Sequence, residues 1–405
     1  MGSPFFYSRV DLPEGWNKRR LGSLLQFRNG QDISGIDNEF ESYPVYGSGG
    51  EFKRTNQYLF DGPSILFGRK GTIDKPLLVD GRFWTVDTMF YTVPMPDVDP
   101  RFVHYWALVA PLSVLSTNTA VPSMTSTDLA QLYLAVPPLP TQRAIADYLD
   151  RETAEIDGMR ADLDEMERLL TERKQTTVTE SFAILERDPN GRKANPNSVT
   201  ELISSNVDKK SREGEKPVRL VNYTDVYYGD ILTADETYME ATATAEQIQR
   251  VGVKDGDLIF TKDSETADDI GIPALISQPD SDMVCGYHLT IAHPRTSRVY
   301  PRFLYWVFMS GQTRSYWEQS ANGVTRYSIG STVTARLRIP LPSLAEQRRI
   351  ADEIDRETAE IDSMLEDITK LQDLLAERRA AVISAAVTGQ IDIPVSPTHK
   401  DEPHA

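Results

Sequence analysis

Fourteen residues recur almost unchanged in this chain, ADYLDRETAEIDGM at 146–159 and ADEIDRETAEIDSM at 351–364, with 205 positions between the copies. Aligned from Gln142 and Gln347, the copies share about 19 of 41 positions without a gap. A period that long excludes a solenoid of small repeats and implies a duplicated unit of globular domain plus helix. Both copies follow a proline-rich stop, AVPPLPTQR at 135–143 and IPLPSLAEQRR at 339–349. Proline ends a strand there and a polar turn starts a helix, near Thr141 and near Ala345.

Apolar residues in the first helix fall at Ile145, Leu149, Ile156, Met159, Leu163, Met166 and Leu170, in steps of four and three with a polar interruption at Glu152. The second repeats them at Ile350, Ile354, Ile361, Met364, Ile368, Leu371 and Leu375. A seam of that period buries a stripe against another helix, as in a coiled coil. A surface helix packed on its own domain would also carry a stripe, but it would explain neither the length, about 60 Å at 1.5 Å per residue, nor the matching seam. Pairing of the two helices with each other is the economical solution.

The regions before and between the helices, about 1–136 and 183–341, read as mixed α/β. PSILFGRKGTI (63–73) and GDLIFTKDSE (256–265) are short apolar strands entering polar loops, and RFVHYWALV and RFLYWVFMS, from Arg101 and Arg302, are matching aromatic segments. The regions also end alike, in NTAVPSMTSTDLAQLYLAVPPL and NGVTRYSIGSTVTARLRIPLP. They are therefore diverged copies of one scaffold with two readouts.

At 405 residues, 40% hydrophobic and 25% charged, the chain is long enough for two or three domains with their own cores. The sequence lacks a long apolar run, so neither export nor a membrane span is expected. The single cysteine, Cys285, permits no intrachain disulfide and fits a reducing cytoplasm. A net charge of −17 stands against nucleic acid as a partner until the charge is mapped. The two repeated helices hold about 21 acidic and 12 basic residues, roughly half the excess, and leave the globular parts only mildly acidic.

The sequence carries little catalytic chemistry. YGSGGEF at 46–52 lacks the lysine and spacing of a phosphate loop and reads as a turn. None of the five histidines, His104, His288, His293, His399 and His404, stands at a metal-ligand spacing. Asp208 to Lys210 is a D-x-K fragment inside a polar loop, and no N-P-P-[FY] or D-P-P-[FY] stretch of an amino-methyltransferase occurs.

The paired Q-R-x-I-A…DRETAEID helices, the VPPLPTQR entry and the AAVTGQIDI exit at 385–393 make the chain similar to the specificity subunit of a type I restriction–modification system. The resemblance covers essentially the whole sequence. It implies a mixed α/β chain in which two similar globular target-recognition domains are separated by two long antiparallel coiled-coil helices with pseudo-two-fold symmetry. The implied division is a first recognition domain at 1–140, a central spacer helix at 141–186, a second recognition domain at 187–344, a C-terminal spacer helix at 345–393 and a tail at 394–405. Each domain would read half of a split site in double-stranded DNA, and the helices would dock two methyltransferase subunits, with restriction and motor subunits completing a cytoplasmic complex. Such a chain is not an enzyme and binds no cofactor or metal itself; S-adenosylmethionine, ATP and Mg belong to the partners. Two other readings are a duplicated protein-binding scaffold and a self-contained DNA-modifying enzyme, the latter disfavoured by the missing motifs.

Phosphates take lysine and arginine, while base edges take bidentate arginine, asparagine or glutamine. The loop residues that fit are Lys53, Arg54, Arg69, Lys70 and Asn118 in the first domain, and Lys262, Asn322, Arg326 and Tyr327 in the second. This selection rests on loop position and is not carried by the resemblance. The acidic helices can face protein and keep DNA on the domain loops.

If the paired helices set the gap between half-sites, four residues inserted after Ile156 and after Ile361 add about 6 Å of helix and turn it about 40° past a full rotation. The half-sites should then separate by one or two base pairs at about 3.4 Å per step, with both half-sequences unchanged. One inserted residue turns the face by about 100° and should break the pairing. Sequencing duplexes selected from a random pool checks this, and an unchanged gap in the four-residue variant rules the ruler out.

Overall fold

Every residue of the strand Ser64–Gly68 is buried, the pattern of a strand covered on both faces. The computed structural model describes residues 12–35, 43–116, 122–188 and 191–394. They fall into two units, the first formed by Met1–Leu163 with Thr369–Ala405 and the second by Asp164–Ile368. In the first unit Ser64–Gly68 lies third in a sheet ordered Leu25–Asn29, Met89–Pro94, Ser64–Gly68, Leu77–Val79, antiparallel throughout. The second unit repeats that order with Thr200–Ser204, Leu289–Pro294, Leu258–Thr261 and Pro273–Ile276, and adds Ile231–Leu232 in parallel at the edge. Beside it the first unit carries a four-stranded sheet built on Tyr43–Gly47, and the second a three-stranded sheet built on Lys216–Val221. The mixed α/β repeat anticipated from the sequence is thus one strand order used twice.

Each unit has an aromatic helix and parts of two long ones. Helix α1 (Pro100–Val109) and the first long helix α2 (Leu139–Arg187) have their counterparts in α3 (Pro301–Met309) and α4 (Leu344–Val387). Proline opens both aromatic helices, a position where its missing N–H has no intrahelical partner to lose. In the first unit, Ile145 and Leu149 of α2 share a core with Phe102 and Trp106 of α1 and with Ile383, Ala386 and Val387 of α4. In the second, Ile350 and Ile354 of α4 share one with Phe303 and Trp306 of α3 and with Val178 and Phe182 of α2. The start of one long helix meets the end of the other in each unit, so the pairing is antiparallel in both.

Four polar positions of the repeated segment meet corresponding surroundings in the two units. Gln142 is buried, accepts from the Asp99 N–H at 2.9 Å and donates to the carbonyls of Asp97 at 3.1 Å and Pro137 at 2.9 Å. Gln347, also buried, accepts from Tyr300 N–H at 2.8 Å and donates to Arg298 at 3.1 Å and Pro342 at 2.9 Å. Asp150 receives Arg101 at 2.8 Å and the Tyr105 hydroxyl at 2.7 Å. Asp355 receives Arg302 and the Trp306 indole N–H, both at 2.8 Å. Thr153 and Thr358 are buried and return their hydroxyls to the carbonyls of Leu149 and Ile354.

The last carboxylate of the motif turns to the other long helix. Asp157 is bridged by Arg379 at 3.0 Å in the first unit, and Asp362 by Lys174 at 2.6 Å in the second. Asp157 corresponds to Asp362, and Lys174 to Arg379, across the 205-residue period. One acid–base pair is therefore made twice with the partners exchanged, as isologous antiparallel pairing requires.

The apolar stripe is not enclosed along its whole length. Ile145, Leu149, Ile156, Ile350, Ile354, Ile361 and Ile368 are buried, and Met159, Leu163, Leu170 and Leu375 are partly so. Met166, Met364 and Leu371 are 51%, 49% and 47% exposed. A straight helix drifts about 20° per heptad from a seven-residue repeat, and one partner helix covers only a narrow line. The buried ends of the stripe owe as much to the globular cores as to the opposite helix. Among the described residues no helix is long and apolar enough to cross a membrane.

Gln142→Ala and Gln347→Ala should each cost about 1–3 kcal/mol or more, since buried backbone groups lose their partners. Urea denaturation reads this directly. A loss below about 0.5 kcal/mol in both would show that the glutamines do not fasten the helices.

Candidate nucleic-acid interface

In each unit the central strand delivers a basic residue to the same place. After Ser64–Gly68, Arg69 donates its N–H to Thr88 and accepts from Met124 N–H; after Leu258–Thr261, Lys262 donates to His288 and accepts from Ile329 N–H. The structure therefore places Arg69 and Lys70 beside Ser123, to which Lys70 is bridged. Lys262 lies beside the paired strands Asp263–Ser264 and Tyr327–Ser328. Asn322 joins this group by exchanging backbone hydrogen bonds with Ser328 at 3.1 and 3.0 Å. Asn118 lies outside the described residues.

Lys53 and Arg54 stand apart, on the outer strand Gly50–Thr55 of the second sheet. Arg54 is bridged to Glu51 at 3.1 Å. The hairpin that carries them approaches the Arg69 loop at Gly71, where φ is +85° and a Cβ would lie 3.0 Å from Ser48 Oγ. Arg69 itself donates to the Asp87 carbonyl at 3.3 Å and lies 6.0 Å over the Phe90 ring.

The two basic residues predicted for the second unit behave differently. Lys262 turns inward and donates to the Ser205 carbonyl at 2.9 Å, and burial pushes its ammonium below the usual lysine range. Arg326 is half-exposed, with Nε 3.3 Å from Asp263 Oδ1 and Nη2 3.5 Å from His288 Nε2. His288 Nδ1 approaches Asp263 Oδ1 at 2.5 Å. Burial lowers the His288 pKa, and Arg326 and Lys209 lower it further against the pull of Asp263. The close approach to the Asp263 carboxylate favours the Nδ1 proton on that side, the tautomer in which Nε2 accepts from Arg326. As pH falls below the ordinary histidine value the unfolded chain takes up a proton before this site does, so acid works against the arrangement.

Arg326 and His288 open onto a cavity of about 400 Å³ that the sequence did not single out, walled by Tyr223, Tyr227 and Tyr228 with Lys209 and with the carboxylates Glu265 and Asp269. Tyr223 and Tyr227 stack at 5.6 Å and 17°, and Tyr228 is almost fully exposed. Their helix, Tyr223–Tyr228, is fixed by a capping box between Asn222 and Asp225. Tyrosines at positions i and i+4 of a short capped helix were a visible signal. Aromatic faces stack on bases, and a braced guanidinium presents a fixed fork of donors. Among the described residues no group of three or more His, Cys, Asp or Glu could hold a metal ion.

Residues 13–168 match the family described as the Type I restriction modification DNA specificity domain. The chain is 21% identical over 413 residues to the type I restriction enzyme EcoDI specificity subunit of Escherichia coli, covering 94% of this chain and 89% of that protein. It is 19% identical over 430 residues to the MjaVIII specificity subunit of Methanocaldococcus jannaschii, covering 94% of each. Among solved structures, one described as the basis of complex assembly and conformational transition of the type I R-M system superposes with TM-score 0.73 at 17% identity, over 95% of this chain and all of that one. The HsdS subunit from Thermoanaerobacter tengcongensis superposes with TM-score 0.52 at 18% identity, over 95% and 99%. The two structural likenesses establish a shared fold.

Lys262→Ala removes the donor of a buried carbonyl and should cost about 1–3 kcal/mol, whereas Arg326→Ala, on the surface, should stay within about 0.5 kcal/mol. Chemical denaturation of the two variants separates them. Equal losses would mean that Arg326 is a structural residue.

Proposed function

We propose, for a chain that belongs with the type I restriction–modification specificity subunits, that it reads a bipartite site in double-stranded DNA, one half with each unit, and docks the subunits that carry out catalysis. The observation that carries this reading is the contrast within the duplication. The long helices are fastened at corresponding positions in both units, Gln142 and Gln347 making the same three bonds, while the loop chemistry differs. Arg326, braced by Asp263 and His288, belongs to the second unit alone, since the corresponding position in the first is Val121. One scaffold with two unlike loop sets suits a target whose halves differ.

Docking is supported by apolar side chains left on the long helices. Leu371 and Leu374 in the first unit and Met166 and Leu169 in the second are about half exposed, and they occupy corresponding positions of the repeat. Each unit thus offers the same pair, which suits two copies of one partner, the methyltransferase subunits. Methyl transfer and DNA cleavage, with S-adenosylmethionine, ATP and Mg, fall to partner subunits, so the chain by itself turns nothing over.

Selection from random duplexes, with the chain assembled on methyltransferase subunits, tests the reading. Arg326→Ala should cost about 1–3 kcal/mol on the selected site and relax one position of one half only. Leu169→Glu with Leu374→Glu should abolish assembly with the methyltransferase. Loss of preference in both halves, or methyltransferase or nuclease turnover by the purified chain alone, would overturn the proposal.

A further inference from the structure

In the second unit the strand pair Lys193–Ala194 with Ile339–Pro340 borders a pocket of about 340 Å³ lined by Arg192, Lys193, Arg298 and Arg338 together with Asn195 and Ser198, and by no carboxylate. All four cations are exposed, and among the described residues none of them is bridged to an acid. Arg298 Nη1 donates to the Ser198 carbonyl at 2.6 Å, and Arg295 donates to the same oxygen at 3.3 Å. Two guanidiniums thus share one neutral acceptor. Like charges held together cost free energy, and a chain with a net charge of −17 has no shortage of carboxylates to relieve them.

The first unit shows the same place neutralised. Its strand pair is Asn17–Arg20 with Tyr133–Val136. There Lys18 and Arg20 lie 4.9 and 5.4 Å over the Tyr133 ring, Arg20 also bonds the Tyr133 hydroxyl at 2.7 Å, and Arg19 is bridged to Asp97. The repeat puts Tyr133 where the second unit has Arg338. The buried glutamines match the carbonyl of Asp97 with that of Arg298. Two groups that quiet the cations in one unit are replaced by two more cations in the other.

We propose that this pocket binds a phosphate group, supplied by the backbone of duplex DNA outside the bases read by the loops. The source of the phosphate rests on the DNA-binding reading; the pocket's affinity for phosphate does not. Arginine forks match phosphate oxygens bidentately, and such bonds set register without reading sequence. The second unit then carries an anchor that the first lacks.

The test uses the full chain with its methyltransferase partners and the double variant Arg298→Asp, Arg338→Tyr, which copies the first unit's arrangement. A second pair, Arg192→Gln with Lys193→Gln, guards against misfolding of the first. Affinity for the selected duplex should fall about three- to ten-fold near 0.1 M salt. The slope of log affinity against log salt should drop by about 0.9 for each phosphate no longer neutralised, with sequence preference unchanged. Tripolyphosphate added to the chain alone should raise the melting temperature of the wild type and not of either variant. That shift without any change in the DNA salt slope would assign the pocket to a free anion and overturn the DNA source. No change in either readout overturns the pocket altogether. Failure of the wild-type complex to bind duplex would refute the DNA-binding reading, while the tripolyphosphate result still decides on the pocket.

Discussion

One buried amide at the foot of each long helix ties that helix to its own unit. Gln142 and Gln347 are almost wholly enclosed, and each makes three hydrogen bonds to backbone groups of two separate segments. A buried backbone group without a partner costs a large fraction of a domain's net stability. Glutamine alone among uncharged side chains of this length both donates and accepts, so it can tie the loop before the aromatic helix to the proline-rich entry of the long helix.

Around this point the fastenings become more tolerant with distance. Asp150 and Asp355 keep their arginines but differ in the second donor, a tyrosine hydroxyl in one unit and a tryptophan N–H in the other. Either ring supplies one polar hydrogen beside a large apolar surface. Farther along, Asp157 and Asp362 meet Arg379 and Lys174, pairs that are partly exposed and individually weak. Their value is in register, because an antiparallel pair of like segments is self-complementary only where acid faces base.

Much of this was legible without coordinates. The duplication and the two long helices follow from repeated spelling and from the proline stops. What the repeat could not disclose was division of labour within DRETAEID, since position on a helix does not reveal which neighbour a carboxylate meets. Among the loop residues, Arg69 and Lys262 are correctly matched by their strands, yet Lys262 faces inward to Ser205 and its neighbour Arg326 faces outward. Both read as basic loop residues in one dimension. The spacing of Tyr223 and Tyr227 marks one helix face, but only the fold brings that face to Arg326 and His288.

The sequence by itself determined that one scaffold is built twice and that each copy ends in a long acidic helix, because propensity, proline punctuation and apolar spacing act locally and survive in any context. Only the tertiary structure decided which charges are satisfied internally and which remain available. Lys18, Arg19 and Arg20 find Tyr133 and Asp97, while Arg192, Lys193, Arg298 and Arg338 surround an open pocket. Electrostatic energy depends on distance in space and on burial, and neither is a property of order along the chain.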